Sequence, residues 1–531
     1  MIRQKTFDLS PLKSPGFPVF LALFPLFGFF LLVFPLVYLG VRASEADFAA
    51  LGALVFRYRT WELFRNTLVL ALCVSSLSII ISLPLAWLTE RSNLKGKKIL
   101  TILAVLPLTI PGYVMAYALL SLGGNIGVFS QVFGVHVPRL SGLGGATLAL
   151  TLYSYPYVYL NIRTALGNLD PGLEESARSF GLTGRQVFTR VILPQIGPGL
   201  LSGLAIILLY SLGDFGVVAL MRYPVFSYAI YVQYSGAFNR VYAAVLSLIL
   251  VVLSFGVVYG LRSFQKKRAY SRTGAGAQRR IKIYPLGGWK PISVAFLTLV
   301  FFFSLVLPAG ILVFWILQLK TFETGLFVAF LGSFRASVFT ALLAVLMSLP
   351  TVYLARRFVR PLTQGLETAG ALGYGIPPVA LGLGLVFFSL LGARFLYQTL
   401  GLLVLGYTVH FLALAQGPIR TALLQTPRKI EEAARSLGYG PVAAFFKALV
   451  PSIFRGISGA AILVFIMTMK ELPLTLLLAP TGYSTLATSV FTRTSEALYA
   501  QAAPYAAAII GFSSIFVGLI IRHEGKGNGT T

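Results

Sequence analysis

Twelve apolar runs of about 20 residues dominate the chain, and that length is what an α-helix needs to cross the hydrocarbon core of a bilayer. They fall near 17–41, 66–89, 99–121, 144–162, 198–220 and 242–261, then near 291–318, 332–355, 366–391, 398–418, 456–479 and 502–521. Backbone N–H and C=O groups find no water in lipid, so such runs must close their hydrogen bonds internally, as helices. Of the 531 residues 57% are hydrophobic and 11% charged, which is more apolar surface than a soluble core could hide. The expected fold class is an all-α membrane protein with about 12 transmembrane helices. The first run exceeds the ~7–15 apolar residues of a signal peptide and reads as a retained span.

The runs form two copies of six. Leu173-Glu174-Glu175-Ser176-Ala177-Arg178-Ser179-Phe180-Gly181 recurs 257 positions later as Ile430-Glu431-Glu432-Ala433-Ala434-Arg435-Ser436-Leu437-Gly438. Earlier in each half the spacing is 266, carrying Ser82-Leu83-Pro84 onto Ser348-Leu349-Pro350 and Ile110-Pro111 onto Ile376-Pro377. The first half therefore holds nine extra residues, placed in the Gly-rich stretch 123–145, which is expected to carry a short surface helix. An even number of spans per copy gives both halves the same orientation, a parallel repeat about an axis along the membrane normal. The expected division is a first half over 1–262, a basic linker over 263–290 and a second half over 291–531. The linker holds no acid and has Gly274-Ala275-Gly276 at its middle, so it reads as a flexible joint.

Between the fourth and fifth runs of each half lie polar loops, 164–194 and 421–451, that contain the duplicated segment. Each starts with paired acids, which suit a helix N-terminus, and breaks at Gly181 or Gly438, which can take the positive φ that ends a helix. Two short helices joined at a glycine turn are expected, with Ala177 and Ala434 small enough for a neighbouring surface to approach closely. The Lys and Arg residues concentrate on the side of these loops, which the positive-inside rule assigns to the cytoplasm.

The net charge of +27 is spread over short loops with no aromatic-interleaved basic domain, so it reads as loops held near anionic membrane lipid and not as a nucleic-acid surface. One cysteine, Cys73, excludes an intramolecular disulfide. No Gly-x-x-x-x-Gly-Lys-Ser/Thr sequence occurs, so any ATP is hydrolysed elsewhere. His136, His410 and His523 are scattered, and His410, inside a run, reads as a packed, hydrogen-bonded residue.

Ionisable groups inside spans cost on the order of 3 kcal/mol on insertion scales and so carry information. Asp214 and Glu471 occupy equivalent positions, 257 apart, each followed by an apolar run. Two readings stand: the acids line a seam between the halves, or they enter a structural ion pair, for instance Lys470 with Asp214. Tyr153, Tyr155, Tyr157 and Tyr159 offer hard oxygen groups, yet alternate positions scatter around a helix.

Glu432-Ala433-Ala434 followed by Gly438 resembles the cytoplasmic coupling loop of the permease subunits of binding-protein-dependent ABC importers; the first copy, Glu175-Ser176-Ala177 to Gly181, departs by one residue. Val191-Ile192-Leu193-Pro194 and, more loosely, Ala448-Leu449-Val450-Pro451 resemble the end of that loop. The resemblance implies that Glu174, Glu175, Ala177, Gly181, Glu431, Glu432, Ala433, Ala434 and Gly438 couple the chain to an ATPase. Gly213-Asp214-Phe215-Gly216 and Lys470-Glu471-Leu472-Pro473 are similar to segments of fused ferric-iron permeases, although fused thiamine permeases share the length and twofold layout. By this resemblance the chain sits in a bacterial inner membrane with both termini cytoplasmic. It receives Fe(III) from an external or periplasmic binding protein and works with two copies of a P-loop ATPase, which carry the ATP and Mg2+. The chain itself binds no cofactor and catalyses no bond chemistry. An ion-coupled secondary transporter using Asp214, Lys470 and Glu471 is the rival of another class, but it has no need of duplicated docking loops.

Overall fold

A computed structural model describes residues 19–266, 282–319 and 324–525. The basic start of the chain and the middle of the linker, including Gly274–Gly276, lie outside the described residues. Among the described residues seven helices are each long and apolar enough to cross a membrane, and three bent pairs pass the same test together. Gly142–Gly167 and Tyr499–Gly525 complete two sets of six. The surface helix of the Gly-rich stretch is Val128–Phe133, with no buried residue.

Both third spans, each read as a single apolar run, are broken. Lys97–Thr109 meets Gly112–Leu122 at 88°, and Pro361–Gly375 meets Pro378–Gly392 at 109°. The cause is the repeated Ile-Pro: a proline drives the residue before it out of the helical region and has no N–H to donate. Ile110 and Ile376 are accordingly extended, with ψ of 116° and 125°.

The fifth spans also depart from expectation. The runs 198–220 and 456–479 do not continue as helix through the acids; the helices stop at Gly213 and Met469. Each half then makes two short helices before its sixth span, Gly216–Leu220 and Phe226–Ser235 in the first, Pro473–Leu478 and Leu486–Ser495 in the second. At their other ends the fifth spans widen into π turns at Phe188–Ile192 and Phe445–Leu449, again 257 apart. Each π turn sits just before a proline, Pro194 or Pro451, whose missing N–H and bulky ring an ordinary α-turn cannot accommodate.

The first span of each half lies against the other half. In Val19–Ala43, Phe34 and Tyr38 set their rings edge-on to Phe388 at 5.4 and 5.8 Å, and a Cβ on Gly384 would come within 2.7 Å of the Pro35 carbonyl oxygen. The first span of the second half, Gly287–Leu317, packs along the third span of the first half. Exchanged first spans therefore bind the halves together. Elsewhere the halves meet through Phe215 and Phe491, 5.5 Å apart, and through the Tyr117 hydroxyl, which donates to the Tyr499 carbonyl at 3.0 Å.

Candidate functional site

The duplicated loops fold as expected into two short helices around a glycine. Pro171–Ser179 is capped by Asp170, whose carboxylate accepts from the Gly172 N–H, and Lys429–Ser436 is its counterpart. Gly181 and Gly438 have φ of +79° and +89°. Around them the N–H of Leu182 donates back to Ala177 and that of Tyr439 to Ala434, each at 3.2 Å, the long closing bond of a helix C-terminus turned by a left-handed residue. A Cβ at either glycine would meet nothing within 4 Å, so the backbone conformation alone demands glycine. Gly181→Val and Gly438→Val should therefore each misdirect the chain leaving the docking helix. If these loops couple the chain to an ATPase, as the resemblance implies, the double variant should insert normally and lose ATP hydrolysis stimulated by the loaded binding protein in proteoliposomes.

The paired acids divide their work. Glu174 is 1% exposed and accepts from Arg91 Nη1 at 2.8 Å; Arg91, itself 0% exposed, also donates from Nη2 to the Leu166 carbonyl at 3.1 Å. In the second half Arg357 Nε donates to Glu431 Oε1 at 2.7 Å and the Tyr353 hydroxyl to Oε2 at 2.9 Å. Arg91 and Arg357 are repeat equivalents, 266 apart, at the end of each second span. Glu174 and Glu431 thus anchor these two short helices to their own halves. Ala177 and Ala434 are buried too, so the close approach they permit is to this chain. Glu175, Glu432 and Ala433 are exposed. So are Phe180 and Leu437, at 86% and 80%, in the position before each glycine. Sequence reasoning passed over these two, although a large apolar residue recurring at the tip of a polar loop was the available signal.

The linker is not free at its far end. Tyr284 donates its N–H to the Arg91 carbonyl at 2.7 Å, stacks on Trp87 at 5.4 Å and gives its hydroxyl to Glu174. Burial, with the Glu174 hydrogen bond adding to it, raises the Tyr284 phenol above its usual pKa and keeps it a donor. The flexible-joint reading therefore fails for residues 282–290, because a partly buried aromatic ring and backbone pairing fix that stretch.

Between the halves lies a cavity of about 110 Å³, room for several waters. Asp214, Lys470 and Glu471 all line it, with Tyr113, Tyr153, Tyr157, Tyr210, Tyr374 and His410. Each acid also caps the short helix beyond the break: Asp214 Oδ1 accepts from the Val217 N–H at 2.9 Å and Glu471 Oε1 from the Leu474 N–H at 3.2 Å. Lys470 makes no ion pair with Asp214; its ammonium donates to the Leu108 carbonyl at 2.9 Å, across the interface between halves. The ion pair of Lys470 with Asp214, offered as one instance of a structural role, is therefore not formed. Of the four alternating tyrosines, Tyr153 and Tyr157 reach the cavity, Tyr153 edge-on to Tyr210 at 5.6 Å and Tyr157 tilted against it at 5.7 Å. Tyr155 and Tyr159 are buried away from it, with the Tyr159 hydroxyl on Thr89 at 3.1 Å. His410 is a wall residue of the cavity, stacked on Tyr374 at 5.3 Å. The hydroxyls of Tyr113 and Tyr153 have no protein partner among the described residues.

Residues 78–263 match the family described as the binding-protein-dependent transport system inner membrane component. Over 93% of this chain, and 96% of the relative, the sequence is 33% identical to the Fe(3+)-transport system permease protein FbpB 2 of Haemophilus influenzae. It is 28% identical to the sulfate transport system permease protein CysT of Salmonella typhimurium over 48% of this chain and 94% of that one. Among solved structures, a bacterial alginate ABC transporter in complex with an alginate pentasaccharide-bound periplasmic protein aligns with 47% of this chain and 94% of its own, at 20% identity and a TM-score of 0.40. The chain belongs to the family of permease components of binding-protein-dependent transport systems.

Proposed function

We propose that the chain is the fused permease of a ferric-iron importer, with 1–262 and 291–531 as its two halves and 263–290 as the linker between them. The observation that carries this reading is the near full-length similarity to an Fe(3+)-transport permease. The cavity agrees with it: two carboxylates and five phenols are hard oxygen donors of the kind Fe(III) prefers. The same carboxylates oppose an oxyanion such as sulfate, by like-charge repulsion.

In this reading the chain spans a bacterial inner membrane with both termini cytoplasmic, so the basic loops and docking helices face the cytoplasm. Two copies of a P-loop ATPase, carrying ATP and Mg2+, seat on the exposed tips formed by Glu175 with Phe180 and by Glu432 and Ala433 with Leu437. A periplasmic binding protein delivers the ion from the opposite side. Because Glu174 and Glu431 tie the docking helices to the second spans, force on a tip passes directly into its half, and the halves rock about the cavity. The test is uptake by proteoliposomes holding the full complex, offered ferric iron, sulfate, molybdate and thiamine in separate arms. Ferric iron should enter and the others should not; preferential entry of any other solute would overturn the assignment.

A further inference from the structure

The cavity between the halves is built from repeat-equivalent positions, yet the two halves bring different chemistry to it. Asp214 and Glu471 match, but Tyr210 stands where the second half has Met467, Tyr153 where it has His410, and Gly213 where it has Lys470, and all of these line the cavity. Four of its five phenols, Tyr113, Tyr153, Tyr157 and Tyr210, come from the first half, and the fifth, Tyr374, matches Leu108. At the equivalent places the second half offers a thioether, an imidazole and an ammonium, none of them a hard oxygen donor. The acids are paired by the repeat; their neighbours are not.

Packing gathers three of the first-half phenols around Asp214. The Asp214 N–H donates to the Tyr210 carbonyl at 2.8 Å, so the two residues stand one turn apart at the end of the fifth span. Tyr153 and Tyr157, four residues apart on Gly142–Gly167, turn one helix face toward Tyr210 and set their rings against it. Gly112 gives the Tyr153 ring its room: a Cβ there would meet Tyr153 Cε1 at 2.7 Å and Val217 Cγ2 at 3.0 Å, and Val217 carries the N–H that Asp214 caps. The equivalent of Gly112 in the second half is Pro378. Tyr153 is 4% exposed, and its hydroxyl has no protein partner among the described residues. A buried hydroxyl left unpaired is unfavourable, so this one calls for a partner that the chain does not supply. In the second half Tyr374 is stacked on His410, and the residue one turn before Glu471 is Met467.

We propose that the first half alone ligates the cargo: a hard trivalent cation is held by the Asp214 carboxylate with the phenol oxygens of Tyr153, Tyr157 and Tyr210, while Glu471 attracts it without ligating it. Each Fe–O bond to a phenol forms with loss of that phenol's proton to water, and the oxidation state of the iron does not change. The proposal rests on the ferric-iron reading above and adds to it which residues select the ion.

The test uses the purified complex of the full chain with its ATPase in lipid nanodiscs, without binding protein or ATP, titrated with ferric citrate and read by visible absorption. A phenolate–Fe(III) bond gives a charge-transfer band that a carboxylate or a hydrated ion does not. Wild type should develop this band, and Ga(III), which has the same charge and no such band, should compete it away. Tyr153→Phe, Tyr157→Phe and Tyr210→Phe together should abolish it while the complex still assembles, as size-exclusion chromatography would show; Tyr155→Phe, outside the cavity, should keep it. Asp214→Asn should raise the ferric citrate midpoint about tenfold and Glu471→Gln about twofold or less. A wild-type complex that imports ferric iron in proteoliposomes yet shows no band would overturn this assignment and leave the ferric-iron reading standing. A band that survives the triple variant would mark an adventitious ion only and overturn it as well, as would equal shifts from the two acid variants. Import of another solute in place of iron would overturn both.

Discussion

Glu174→Ala should detach the first docking helix while the spans still insert. The substitution strands the Arg91 guanidinium, which is fully buried, and breaking such a pair from one side costs about 3–5 kcal/mol. A penalty of that size multiplies the detached population more than a hundredfold, at ~1.4 kcal/mol per factor of ten. Binding-protein-stimulated ATP hydrolysis should fall to the unstimulated rate, and protease should cut the loop 164–194 readily, with the chain still present in the membrane. Glu431→Ala should do less, because Arg357 and Glu431 keep 11% and 16% of their side-chain surface and water screens the charge left behind. Arg91→Met with Glu174→Met should recover much of the loss, since removing both charges leaves none stranded. An equal, mild effect of the two Glu→Ala changes would show that these acids do not anchor the loops.

Asp214→Asn combined with Glu471→Gln should abolish most uptake at unchanged abundance. The amide oxygens can still accept from the Val217 and Leu474 N–H groups, so the caps on the short helices persist while both negative charges leave the cavity. If the charges guide a cation, uptake drops about tenfold or more, equivalent to ~1.4 kcal/mol of lost interaction at the rate-limiting point. Docking loops and ATPase binding should be unaffected. Lys470→Met should not rescue the acid variants, because Lys470 is held by the Leu108 carbonyl and forms an ion pair with neither acid. Loss of the chain from the membrane in the double variant would instead make the acids structural; wild-type uptake would remove them from the pathway.

The twelve spans and the repeat were legible because transmembrane helices need long apolar runs, and duplication preserves spacing. The glycine turns were legible because only a residue tolerant of positive φ ends a helix in that way, as Gly181 and Gly438 do. The breaks were harder to read. Hydropathy averaged over a run does not register that Pro111 and Pro377 bend the third spans, or that Asp214 and Glu471 stand at helix breaks, where their carboxylates cap the next helix. Two adjacent glutamates look alike in sequence, yet helical rotation turns Glu174 inward to Arg91 and Glu175 outward. The cavity draws its tyrosines from the third, fourth and fifth spans, so no local pattern marks Tyr113, Tyr210 and Tyr374. Tyr284 was hidden by composition, since a basic, Gly-containing linker gives no sign of one ring that stacks on Trp87.

The central claim, an ATP-driven ferric-iron pathway worked through two docking loops, is tested most directly by measuring radiolabelled ferric iron uptake. Proteoliposomes would contain the complex of this chain with its ATPase, the loaded binding protein outside, and ATP with Mg2+ inside, with no ion gradient. The predicted result is uptake that requires internal ATP and disappears in the Gly181→Val, Gly438→Val double variant. Uptake that proceeds without ATP when an ion gradient is imposed, or that survives in the glycine variant, would contradict it.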